Sequence, residues 1–473
     1  MVYVRYQKFG KQEYAYEITS YWDKKTKSPK QKSRYLGVVV DKQKKLFERR
    51  AKRKDTERLI LDYGDSFIVQ KFLEQTGFAK LLQNVFWNKT HTIQALITYR
   101  LCYGSAMMYA KPWLEGSYAQ IQYPRADLSS QRLSEFFRFL SDESLQQKFF
   151  REYIPMLSKN ESGIIIDGTS LPNQIHTPLT AWGLSGEEID KQARFLLVVD
   201  EKSKSPLYFR TLPGNIVDVS ALSNTIKELK QYGVTRAFAF LDAGFFSEDN
   251  IKEMYAEDMN FLTRLPAQRI LYKELVAEHA KSLEAYPNII RYGERGLFVK
   301  QVEVDLFGRK AFAYLVLDPK RKGREVDRLI VQNIDEKKKN DGEMEYFLST
   351  RGLMILVSSF PIPKVDVVQT YYLRQSAEVL FGFSKDDLGL LPLRVHSENA
   401  LRGFLFMQFL TLIVFTQLKQ KLGKKYTVEG ALVRMRNLKC KSYPNDLVVS
   451  ELTRKQKEIA EKLGILMTKE SGI

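Results

Sequence analysis

Residues 371–385 read YYLRQSAEVLFGFSK, and the rest of the chain is best understood outward from them. Ala, Leu, Glu, Gln and Arg favour a helix, and Pro is absent. At roughly 100° per residue, Tyr371, Arg374, Glu378 and Lys385 share a stripe about 60° wide. Leu373, Ala377, Leu380 and Phe381 take the opposite face, so the helix can pack on a core and present the polar stripe. A carboxylate there suits a hard cation, and two cations with a phenol suit phosphate oxygens. A solvated face with an ordinary Arg374–Glu378 pair gives the same pattern, and Gly382-Phe383 is a stop signal ahead of Lys385.

The segments N-terminal to it separate these alternatives. At Gly163 the chain turns strand-like, and Ile164-Ile165-Ile166 runs into Asp167-Gly168-Thr169. Arg194–Val199 and Pro206–Leu212 are further strand candidates, followed by a helix ending near Gly233. A second apolar run, Ala237–Leu241, ends in Asp242-Ala243-Gly244, and a helix and another strand follow. A carboxylate closing an apolar strand is costly to bury unpaired, so each should face a cleft or a cation. Were the two strands neighbours, Asp167 and Asp242 would meet at one sheet edge, with Glu378 as a third acid. Three carboxylates are the expected ligands of Mg²⁺ or Mn²⁺, and a pair of such ions supports phosphoryl transfer. Taken singly, each Asp is equally a turn or cap residue.

Composition points the same way. The 473 residues carry 74 Lys or Arg against 56 Asp or Glu, a net charge of +18, which favours a polyanionic partner, nucleic acid first. The two cysteines, Cys102 and Cys440, form no CxxC, and the four histidines are scattered, so zinc and disulfide frameworks are not expected. The start shows no signal-like segment, and the longest apolar run, Gly403–Val414, is short for a membrane span; a cytoplasmic protein with a buried helix there and no membrane partner is expected.

Residues 1–60 hold 18 Lys or Arg against 7 Asp or Glu. They alternate like strands, with Lys24, Lys25, Lys27, Lys30, Lys32 and Arg34 expected in a loop and a second basic cluster, Lys42–Arg58, expected to be helical. Such a basic β/helix arm suits a DNA backbone, or is a charged arm without a specific partner. Residues 61–158 read as helices, one capped by Asp65 and one with Leu133, Phe136, Phe137 and Leu140 at i, i+3, i+4, i+7, either a DNA-reading helical region or a structural bundle. Residues 266–346 read as a β-rich block, with PKRKGR (319–324) as a basic loop, and residues 396–473 as helical.

Tyr371, Arg374, Glu378 and Lys385 are separated by two, three and six residues. With Asp167 before a small residue and Asp242 in D-x-G-aromatic (Asp242, Gly244, Phe245), this resembles the DDE transposases of bacterial insertion sequences, specifically their YREK-signature group, over about residues 160–420. The resemblance implies a multidomain α/β chain. An RNase H-like catalytic core (159–265 and 347–395) would be interrupted by a mostly β insertion (266–346), with helical regions on either side. It implies Asp167, Asp242 and Glu378 as catalytic metal ligands for Mg²⁺ or Mn²⁺, two ions, and Tyr371, Arg374 and Lys385 as DNA contacts. The partners would be double-stranded DNA (terminal inverted repeats and a target) and further copies of the chain, a dimer or larger. The implied reaction is cleavage at transposon ends and transfer of the freed 3′-OH into target DNA, cut-and-paste, in a cytoplasmic, nucleoid-associated protein. A nuclease without strand transfer, or an inactive DNA-binding descendant, would look similar. Some relatives use a tryptophan in the insertion to hold a flipped base. Trp22, Trp87, Trp113 and Trp182 all lie outside 266–346, leaving Tyr292, Phe298 or Phe307 to stack.

Overall fold

A computed structural model describes residues 2–9, 12–23, 26–48, 59–157, 163–185, 188–215, 218–234, 238–334, 341–395, 397–443 and 446–467. The chain divides into two compact units, Met1–Ile60 with Lys441–Val448 and Lys469–Ile473, and Leu61–Cys440 with Val449–Thr468.

The first unit carries an antiparallel sheet of Val2–Phe9, Gln12–Asp23, Ser28–Asp41 and Leu46–Glu48 in sequential order. Lys30, Lys32 and Arg34 are not in a loop. They stand on the third strand opposite Tyr21, Thr19 and Glu17, two residues apart and so on one face, and all three are exposed. Lys24 and Lys25 lie outside the described residues. The basic stretch from Lys42 is a turn followed by a strand where it is described, not a helix, with Asp41 Oδ1 accepting the Gln43 and Lys44 amides; residues 49–58 lie outside the described residues.

The second unit is built around one long helix, Glu398–Leu422, whose residues from Gly403 to Thr416 are all buried. Its length and hydropathy would allow a membrane crossing, but 89% of that window is buried within the protein, as in a core helix. Helices Thr90–Cys102 and Ser130–Leu140 pack against it. The stripe Leu133, Phe136, Phe137 and Leu140 is buried, and the contact is close: a Cβ on Gly403 would lie 1.7 Å from the Phe137 carbonyl oxygen. This apolar face is therefore used for packing. Asp65 is not a cap. It lies buried inside the first turn of Gly64–Gln75 and meets Arg436 Nε at 3.0 Å.

A ten-stranded mixed sheet lies in the same unit. One side of it runs Pro206–Pro213 (an edge strand), Glu188–Asp200, Ile164–Pro172, Phe238–Leu241, Asn260–Arg264, with the last three parallel to one another and the others antiparallel. Ala239–Leu241 and Ile164–Ile166 are buried, as expected of parallel strands covered on both faces. Leu353–Ser358, buried throughout, follows Asn260–Arg264. Strands Arg309–Leu317, Arg295–Leu306 and Ile289–Tyr292 then extend that sheet, so the block expected to be mostly β shares the sheet with the core; it is not mostly β, because helices Ile270–Leu283 and Pro319–Ile334 take up more of it than these strands do. A further edge strand, Ala181–Ser185, was hidden in sequence by a glycine within a short mixed run. The stretch 319–324 is no loop but the opening of helix Pro319–Ile334. The C-terminal region contains strands Lys439–Tyr443 and Asp446–Val449 beside its helices.

Candidate active site

Parallel pairing sets Leu241 against Ile166, Phe240 against Ile165 and Ala239 against Ile164. Asp242 directly follows its strand, whereas the strand expected to end at Asp167 runs on to Pro172, still paired with Glu188–Asp200, so the two acids stand at the same level on adjacent strands, one past a strand end and one within a strand. Asp242 stands ahead of a tight turn, Ala243–Phe245, anchored by the buried Phe245. Thr263 on the neighbouring strand hydrogen-bonds the Asp242 carbonyl at 3.3 Å.

The 371–385 stretch is helical but not one helix. Val367–Tyr372 ends, Gln375–Gly382 begins, and a π-helical turn, Phe383–Asp387, follows. Between the first two, the amides of Leu373, Arg374, Ser376 and Ala377 bond the carbonyl three residues back. Such tightening eclipses residues three apart, and the Arg374 guanidinium lies 5.6 Å from the Tyr371 ring centroid. The stop signal at Gly382-Phe383 thus ends the α-helix, yet the wider turn after it still carries Lys385 to the site. The apolar face packs on strands Ile164–Pro172 and Glu188–Asp200, with Phe381 edge-on to Phe195 at 6.4 Å.

This packing brings every predicted site residue together. Arg374 Nη1 meets Asp167 Oδ2 at 3.2 Å, and Nη2 meets Glu378 Oε1 at 2.8 Å and Asp242 Oδ1 at 3.9 Å. The Tyr371 hydroxyl donates to Asp242 Oδ1 at 3.3 Å, and Lys385 Nζ donates to Thr169 Oγ1 at 2.7 Å. Thr169 is two residues beyond Asp167 and so on the same face of the strand. That period-two relation was available in the sequence, but Thr169 was missed there. Asp167 is the buried acid, its side chain 9% exposed, whereas Asp242 and Glu378 are 41% and 49% exposed.

The electrostatics show a site short of positive charge. Burial pushes the Asp167 carboxyl up to about 7; Arg374 opposes the shift, and the charges of Asp242 and Glu378 add to it. Burial works against the Arg374 charge too, but Asp242, Tyr371, Asp167 and Glu378 outweigh it and hold its pKa above the usual value. Burial, then Asp242, raises the Tyr371 phenol well above its ordinary range. Burial lowers Lys385, partly offset by Asp386.

Residues 158–414, more than half of the chain, match the family model of the transposase DDE domain. The chain belongs to that family. No curated protein matches the transposase significantly. A solved structure similar over 73% of this chain and 70% of that chain, at 11% identity and a TM-score of 0.41, is the piggyBac transposase synaptic complex with hairpin DNA, determined by cryo-EM.

The transposase's three acids match a hard divalent cation in donor chemistry and charge. Among the described residues, however, no three acid, histidine or cysteine side chains are gathered closely enough to hold a metal ion as they stand, because Arg374 fills the space between them. Of the aromatic residues singled out for stacking, Tyr292 stacks on Tyr372 at 5.7 Å, and Phe307 lies 6.2 Å from Phe246. Both rings border the site's own elements.

Proposed function

We propose that this chain is an active DDE transposase, cutting DNA at the ends of its element and joining the freed 3′-OH to target DNA by cut-and-paste. The observation that carries the reading is the meeting of Asp167, Asp242 and Glu378 around one guanidinium, the two aspartates at the same level on adjacent parallel strands. The strand order Pro206–Pro213, Glu188–Asp200, Ile164–Pro172, Phe238–Leu241, Asn260–Arg264, antiparallel and then parallel, supports an RNase H-like core carrying residues 266–346 as an insertion. The Tyr, Arg, Glu and Lys spacing supports the YREK group of bacterial insertion sequences.

Asp167, Asp242 and Glu378 would hold Mg²⁺ or Mn²⁺, two ions. Bound there, such ions lower the pKa of water or a 3′-hydroxyl and offset charge on the leaving oxygen. The chain's own residues do the rest. Arg374, freed from the acids, and Lys385 supply N–H donors to non-bridging phosphate oxygens, and the Tyr371 hydroxyl adds a third donor. In the cutting step the water oxygen bonds phosphorus as the P–O3′ bond breaks, leaving a 5′-phosphate and a 3′-OH that takes up a proton; in the joining step that 3′-OH bonds a target phosphorus as its P–O3′ bond breaks, and the leaving 3′-oxygen takes up a proton. The exposed Lys30, Lys32 and Arg34 face of the N-terminal sheet would track duplex backbone, and the chain would act as a dimer or larger on paired ends at the nucleoid. Incubating the protein with end DNA, target plasmid and Mg²⁺ tests this. Joined end–target products are expected, whereas cut ends without joining would instead favour a nuclease.

A further inference from the structure

A second site lies away from the acids. A cavity of about 940 Å³ opens between helices Thr90–Cys102 and Ser130–Leu140 and the segment Gly389–Ala400. Its floor holds Arg100, 2% exposed, on the helix that packs against the core. Arg100 Nε bonds Gln408 Oε1 at 3.2 Å and Nη1 bonds the Ser105 carbonyl at 2.9 Å, while Nη2 has no acceptor among the described residues. Among the described residues no carboxylate faces this guanidinium, and burial draws its pKa down to about 10. A buried cation without a counter-charge is costly, so the site calls for an anion.

Four further features have the same sign. The exposed Arg138 and Arg394 sit on the rim, and neither forms an ion pair among the described residues. Among the described residues no aspartate or glutamate lines the cavity. The N-terminal ends of two helices reach it, through Ser130 of Ser130–Leu140 and Ser397 ahead of Glu398–Leu422; the partial positive charge of each favours an anion. Glu398, the one acid in the second helix's first turn, is engaged by Arg402 at 2.9 Å. The remaining wall is flat and apolar: Met108 and Tyr109 are 62% and 47% exposed, and Phe137 and Phe404 form an edge-to-face pair at 5.6 Å.

We infer that this cavity binds an unpaired nucleotide, its phosphate toward the arginines and helix ends and its base against Tyr109 and the methionines. Anion recognition beside an aromatic, sulfur-rich wall is the chemistry by which single-stranded nucleic acid is held. The volume is of the order that ligand sites occupy. That the nucleotide belongs to DNA rests on the transposase reading; that the cavity takes a nucleotide does not.

Calorimetric titration of the full chain in EDTA, with dAMP, inorganic phosphate and a short single-stranded oligonucleotide, tests the inference without any cleavage. Saturable dAMP binding at least tenfold tighter than phosphate is expected, weakened at least tenfold by Arg138→Glu with Arg394→Glu. Tyr109→Ala should weaken dAMP and leave phosphate unchanged. Competition between dAMP and the oligonucleotide would assign the site to unpaired DNA, and dAMP binding without competition would assign it to a free nucleotide; both support a nucleotide site. Equal affinity for phosphate and dAMP, or no response to the charge reversals with the melting temperature retained, would overturn it.

Discussion

Arg374 Nη1 lies 3.2 Å from Asp167 Oδ2, and the same guanidinium reaches Glu378 and Asp242. One side chain thereby balances three acids, one of them buried. Arg374→Gln leaves those acids uncompensated. The metal-free protein should lose about 2–3 kcal/mol, less than for a fully buried pair because Asp242 and Glu378 are partly solvated. Mg²⁺ should restore more of the melting temperature in this variant than in wild type. Thermal melts with and without Mg²⁺ read both effects.

The pH dependence has a definite sign. Asp167 titrates near 7 when folded, against about 4 for an ordinary Asp when unfolded. Between these values the folded state keeps a proton that the unfolded chain has released. The stability linked to this group is full below about pH 4 and lost as pH rises through about 7. Asp167→Asn removes that loss, so its melting temperature relative to wild type should rise from pH 5 to pH 8 without metal. A difference independent of pH would contradict the burial of the charged carboxyl.

Lys385 is held by Thr169, not by an acid, so its charge is available to a phosphate. Lys385→Met should reduce cleavage about tenfold to a hundredfold, the effect of one charge-assisted hydrogen bond of about 1.5–3 kcal/mol, and barely change the melting temperature. Thr169→Val should give a smaller loss in the same direction. Rate measurements with saturating DNA distinguish the two.

The joint between the long helix and the helical region depends on Gly403. Its added Cβ would fall 1.7 Å from the backbone oxygen of Phe137, which a side-chain rotation cannot relieve. Gly403→Ala should therefore cost at least 1–3 kcal/mol, typical of overpacking, although alanine is otherwise the better helix former. Chemical denaturation checks the sign.

Much of the site was legible because it depends on local rules. The strands carrying Asp167 and Asp242 declare themselves by apolar runs that stop at an acid, although the first of them runs on to Pro172, and the Tyr, Arg, Glu and Lys spacing survives even though the helix breaks at Leu373. The 3₁₀-like step and the π turn were not legible, because nothing in the residue pattern marks where the helix tightens or widens. Period-two alternation announced the N-terminal strands, yet charge was mistaken for a loop signal at Lys30, Lys32 and Arg34, because an exposed strand face tolerates lysine as readily as a turn does. The role of Arg374 between the acids, and the cavity over Arg100, depend on contacts between residues far apart in sequence, to which no local pattern points.

The central claim is that Asp167, Asp242 and Glu378 form one metal-dependent cutting site. It is tested most directly by nicking of DNA carrying the element's own ends, in Mg²⁺ and in EDTA, by wild type, Asp242→Asn and Glu378→Gln. The account predicts cutting at the end by wild type in Mg²⁺, none in EDTA, and a loss of at least a thousandfold in each variant with end binding retained, as expected when charge stabilisation at the reacting phosphate is removed. Cutting that persists in either variant, or wild-type protein that binds the ends and never cuts them, would contradict it.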